Sequence, residues 1–132
     1  MLASVAALGL GLAACGRESN PPSAENDGVY ETAGNVTYQL QISRQLNQYS
    51  TEDSNYVKGV PLGQASITPA QLWYGVFLWG WNQTKVPQRT TDNFDIVDTT
   101  GQHYYPLPLN TTLNPWAWTV RTLTPKWSAT AW

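Results

Sequence analysis

Residues 72–82 constrain the fold of this chain more than any other stretch. Leu72, Tyr74, Val76 and Leu78 would line one side of an extended strand, and Trp73, Phe77, Trp79 and Trp81 the other. A strand that is apolar on both sides belongs at the centre of a sheet, or has its outer face covered. Residues 36–43 show the complementary pattern. Val36, Tyr38, Leu40 and Ile42 alternate strictly with Thr37, Gln39, Gln41 and Ser43, which predicts a strand with one face in a core and one in water. Shorter strands are expected at 93–97 and 102–107, joined by a turn at Asp98-Thr99-Thr100-Gly101. Pro106 and Pro108 place the second of these at an edge or end it. A further strand is expected near 118–123. Thr51-Glu52-Asp53-Ser54 can cap a single helical turn carrying Tyr56 and Val57, but no longer helical period follows residue 15. Short strands separated by turn signals predict an all-β sandwich.

The N-terminal end follows different rules. Residues 1–14 carry no charge and form an apolar run rich in Ala, Leu and Gly. The run has the length of a signal-peptide core and is too short to span a bilayer of about 30 Å as a helix. It ends Leu12-Ala13-Ala14-Cys15, which looks like a lipobox, and Cys15 is the only cysteine. Residues 1–14 are therefore read as a lipoprotein signal peptide and Cys15 as the lipidation site. The membrane is then a partner through acyl chains that each contribute about 0.8 kcal/mol per buried CH₂. A start upstream of Met1 would supply the basic segment such peptides carry. Residues 15–34, rich in Pro, Ser, Asn and Glu, read as a flexible linker, with Val29 and Tyr30 as a possible early edge strand. Residues 35–132 remain as one domain.

Charged residues make up only 12% of the chain, and the formal net charge is −2. Arg17, Arg44, Lys58, Lys85, Arg89, Arg121 and Lys126 are scattered, so no patch exists to neutralise phosphates and nucleic acid is not an expected partner. One cysteine excludes an intrachain disulfide and a multi-cysteine metal site.

No catalytic constellation stands out, and no cofactor or metal is expected. His103 is the only histidine, so a triad or metal cluster would need every other group from Asp, Glu, Ser or Thr. Asp92, Asp95 and Asp98 supply oxygen that suits a hard cation, but their spacing of three fits no compact loop, and turn or edge carboxylates are the better account. Seven tryptophans are the unusual feature. Trp73, Trp79 and Trp81, with Phe77, would share a face and could stack on sugar rings of a cell-wall glycan. Against this stands packing of the same rings beneath the loop 61–69 or beneath further strands. Large exposed apolar patches on monomers are uncommon, which favours covered rings.

The series Val36-Thr37-Tyr38-Gln39-Leu40-Gln41-Ile42-Ser43, Thr51-Glu52-Asp53-Ser54-Asn55-Tyr56-Val57, Trp73-Tyr74-Gly75-Val76-Phe77-Leu78, Phe94-Asp95-Ile96-Val97-Asp98, Tyr105-Pro106-Leu107-Pro108-Leu109 and Asn114-Pro115-Trp116-Ala117-Trp118 resembles a group of actinobacterial lipoproteins of unknown function. The resemblance runs over residues 36–125 and rests on the order of the motifs. It implies an immunoglobulin-like β-sandwich, here lacking its last strands, an extracytoplasmic location, and no established activity. It also implies that Leu72, Val76 and Leu78 face inward and the tryptophans outward. The expected role is a non-catalytic structural or protein-interaction module at the cell envelope, with glycan binding as the alternative.

Overall fold

The computed structural model describes residues 22–125 and 128–130. Cys15 and the signal segment lie outside them. The described chain is all-β, built from antiparallel sheets. The elements are β1 (Tyr30–Ala33), β2 (Val36–Leu46), β3 (Trp73–Asn82), β4 (Gln88–Arg89), β5 (Ile96–Val97), β6 (His103–Tyr104), β7 (Thr122–Leu123) and β8 (Ser128–Thr130). Single 3₁₀ turns lie at Asp53–Asn55 and Leu62–Gln64. One sheet has the order β1-β2-β3-β8, and β4-β7 and β5-β6 form two-stranded ribbons.

The two alternating stretches form the long central pair, β2 with β3. Three expectations about them need correction. First, the edge strand expected at Val29 and Tyr30 is present as β1 and is longer, running from Tyr30 to Ala33 within residues 15–34. Its pairing with β2 continues the main-chain bonds that Gly28 and Val29 already make to Leu40. Second, β2 runs on to Leu46. Third, Ile42 does not share a face with Val36, Tyr38 and Leu40. The register passes from Leu40 opposite Leu78 to Ile42 opposite Phe77, so Gln41 is an extra residue. Such a bulge turns every later side chain of the strand to the opposite face. Two half-cores on opposite faces result.

Near Val36 the first half-core contains Val36, Tyr38 and Leu123, with Ala33, Phe94 and Trp118 against them. Gly80 lies opposite Tyr38 in the register. A side chain there would meet the rings of Tyr38 and Trp118 at 3.4 Å, so the glycine makes room for both aromatics. Tyr38 meets Phe94 edge-on with a centroid separation of 5.4 Å, within the range favoured by aromatic pairs. Its hydroxyl accepts the Thr91 N–H at 2.8 Å. Burial raises the Tyr38 phenol above its ordinary pKa.

Beyond the bulge the other face is covered by residues 47–58. Arg44 grips Asp53 with two bonds, of 3.0 and 2.6 Å, and the Asn47 N–H adds a third to the same carboxylate at 2.8 Å. Asp53 is buried, and these donors, Arg44 first, hold its carboxyl below the usual range. The 3₁₀ turn they anchor brings Tyr56 edge-on to Phe77 at 4.9 Å. Asn114, fully buried, ties the strap to the C-terminal half. Its amide donates to the carbonyls of Tyr56 and Lys58 at 2.9 and 3.0 Å.

The remaining strands are shorter than their sequence signals. Residues 93–97 and 102–107 pair only at Ile96–Val97 and His103–Tyr104, and the stretch 118–123 only at Thr122–Leu123. Among the described residues no helix is long and apolar enough to cross a membrane.

Candidate functional site

Trp73, Phe77, Trp79 and Trp81 share one face of β3, as alternation requires, but the face is not bare. All four side chains are half-buried. Trp73 donates its indole N–H to Gln48 at 2.9 Å, Phe77 lies under Tyr56, and Trp81 meets Tyr30 edge-on at 5.2 Å and Trp79 at 6.4 Å. The inward and outward assignment is corrected for the end of β3 beyond the bulge, at Trp73 and Phe77. Leu78, opposite Leu40, lies on the side of Val36 and Tyr38, and Trp79 and Trp81, opposite Gln39 and Thr37, lie on the reverse. Leu72 (53% exposed), just before β3, and Tyr74 (49%) and Val76 (40%) within it are the open side chains there. The bulge is the reason. It gives the face beyond Gln41 to the strap 47–58 and leaves the reverse face there uncovered. The strap, rather than the loop 61–69, covers Phe77.

A different surface concentrates exposed aromatic and aliphatic groups. Ile96, Val97, Tyr104, Tyr105 and Leu107, on or beside the ribbon β5-β6, are all exposed. The ribbon is closed by Asp98. One carboxylate oxygen accepts the Thr100 N–H and hydroxyl at 2.8 and 2.6 Å and the Gln102 N–H at 3.0 Å. The other accepts the Tyr104 hydroxyl at 2.9 Å. Gly101, at φ +85, completes the turn. These bonds, Thr100 first and Gln102 next, lower the Asp98 carboxyl to about 2. The same contact with Asp98 raises the Tyr104 phenol. The Asp98 carboxyl loses its proton more readily in the fold than in the unfolded chain, where its value is 3.8. Its contribution is therefore complete above about pH 4 and is lost as pH falls through about 2. Following the Asp98 carboxyl carbon by NMR should give a midpoint near 2. Asp98→Asn should speed amide exchange at Thr100 and Gln102 without changing exchange at Val36 or Tyr38.

The ribbon's outward side carries Val97 opposite His103, Asp95 bonded to His103 Nδ1 at 2.5 Å, and Tyr105, whose ring lies nearly parallel to the imidazole at 19°. Asp95 and Asp98 thus hold a histidine and a turn, as the turn and edge reading of these carboxylates expects. Among the described residues no group of three or more His, Cys, Asp or Glu is placed to hold a metal ion. Sequence reasoning singled out the tryptophans and passed over Val97, His103 and Tyr105 as a group. The signal that could have found them is the run 90–120, which has three Asp and neither Lys nor Arg. Open depressions are also present among the described residues. One of about 170 Å³ lies beside Gln48, Ile67 and Trp73, and one of about 510 Å³ lies between Val60, Leu62, Leu109 and Leu113.

In comparisons with protein-family models, with curated proteins and with solved structures, nothing matches this chain.

Proposed function

We propose that this chain is a lipid-anchored extracytoplasmic domain that acts by contact with other envelope proteins and not by catalysis. Its tether is Cys15, acylated after removal of residues 1–14. Its body is an immunoglobulin-like sandwich in which residues 88–97 and 118–123 form the second layer over Val36 and Tyr38. The observation that carries the contact reading is the group of exposed Ile96, Val97, Tyr104, Tyr105 and Leu107 within a single ribbon and its flank. Aromatic and aliphatic groups gathered in this way on a surface mark interaction sites more often than scattered ones do. The tether rests on the apolar run that ends Leu12-Ala13-Ala14-Cys15.

Cell fractionation of an actinobacterial host expressing the chain tests the reading. The wild type should sediment with membranes and need detergent for release, while Cys15→Ala should become soluble. A wild type free of membranes, or a Cys15→Ala variant that still needs detergent, would contradict the tether.

A further inference from the structure

We propose that the outward side of the β5-β6 ribbon is a docking site for an arginine-bearing segment of a partner protein. The inference rests on the contact reading above and names the chemistry of the partner. Four groups carry it. Tyr105 is 70% exposed and Val97 53%, so an open aromatic face stands beside an aliphatic one. His103 lies next to Tyr105 with its ring plane 19° from parallel, which gives planar groups of common orientation. Asp95 spends one carboxylate oxygen on His103 Nδ1, and its other oxygen has no partner among the described residues.

A guanidinium is the group that uses all of these at once. It is planar, stacks on aromatic faces, pairs with a carboxylate through N–H donors, and is weakly hydrated for a cation. The surrounding charge favours it. Residues 90–120 contain Asp92, Asp95 and Asp98 and no Lys or Arg, so no lysine or arginine of that stretch competes for the Asp95 oxygen that His103 leaves open. The fixed turn matters as well. Asp98 and Tyr104 brace the ribbon from within, so little ordering is left to be done on binding. The same charge disfavours nucleic acid and an anionic lipid surface.

Amide NMR of the full chain, titrated with a synthetic arginine–glycine repeat peptide, tests the site. Lysine and glutamate versions of the peptide and a neutral xylan oligosaccharide serve as comparators. The arginine peptide should move the signals of Asp95, Val97, His103 and Tyr105, and the movement should weaken with salt. The lysine peptide should bind less well, and the glutamate peptide and the oligosaccharide should leave the ribbon unmoved. Tyr105→Ala and Asp95→Asn should each raise Kd about two- to fivefold. Both residues are exposed, and unchanged signals from Val36 and Tyr38 would show that the fold persists. The inference is overturned if the ribbon is silent to the arginine peptide, if neither variant weakens binding, if the shifts centre on Glu25, Glu31 or Glu52, or if the oligosaccharide moves the ribbon instead. Membrane attachment is read separately. A silent ribbon on a chain that still fractionates with membranes rejects the docking site alone, and a responsive ribbon on a soluble chain rejects the tether alone.

Discussion

Replacing Tyr38 with alanine should lower the free energy of unfolding by about 3–5 kcal/mol, the range for removing a buried aromatic side chain. Tyr38 is 6% exposed and joins the central sheet to what lies over it. Its ring packs against Phe94 and Trp118, at 5.4 and 6.1 Å, and its hydroxyl accepts the Thr91 N–H. Tyr38→Phe separates the two contributions. It keeps the ring and strands one partly buried N–H, which should cost about 1 kcal/mol. Urea unfolding followed by tryptophan fluorescence would measure both. Near-equal losses for the two variants would mean that the hydroxyl, and not the ring, holds Phe94 and Trp118 against the sheet.

Asn114→Ala should be the next most damaging change, at about 2–4 kcal/mol. Asn114 is 1% exposed and satisfies three main-chain groups, the carbonyls of Tyr56 and Lys58 and the Trp116 N–H at 3.0 Å. Alanine would leave these partly buried groups without partners, at up to about 1–3 kcal/mol each where water cannot reach them. The loss should have a local signature. Tyr56 packs on both Phe77 and Trp116, so the strap 47–58 should exchange its amides faster than β2 does. Asn110→Ala is the control. Asn110 is exposed and its side chain accepts a single N–H, from Thr112. Similar losses for the two variants would contradict the structural role assigned to Asn114.

The parts of the fold that could be read from sequence are those with a strong period. Alternation located β2 and β3, grouped Trp73, Phe77, Trp79 and Trp81 on one face, and the turn residues 98–101 located the β5-β6 connection. The bulge at Gln41 could not be read. Gln39, Gln41 and Ser43 continue an unbroken polar alternation, and the extra residue shows only in the register, where Ile42 pairs with Phe77. That one residue decides which face of β3 the strap covers, so Trp73 and Phe77 lie under it instead of facing out, while Trp79 and Trp81 stay on the side away from Val36 and Tyr38. The strap was equally hidden. Arg44 and Asp53 are nine positions apart on different elements, and nothing in their spacing announces an ion pair. Strand lengths failed for another reason. Residues such as Phe94 and Tyr105 have the composition of strands, but Phe94 bonds its N–H to Asp92 in a turn, and Pro106 has no N–H to give a ladder. The ribbon's outward group was missed because its members are ordinary one by one. Only pairing across β5-β6 brings Asp95, Val97, His103 and Tyr105 together.

The proposed tether at Cys15 is what would make the ribbon a contact surface of the envelope. Intact-mass analysis of the protein extracted from membranes tests it directly. The expected result is a chain that begins at Cys15 and carries the added mass of a diacylglyceryl group, recovered in the detergent-soluble fraction, with that mass absent in Cys15→Ala. An unmodified mass that still includes residues 1–14 would contradict it.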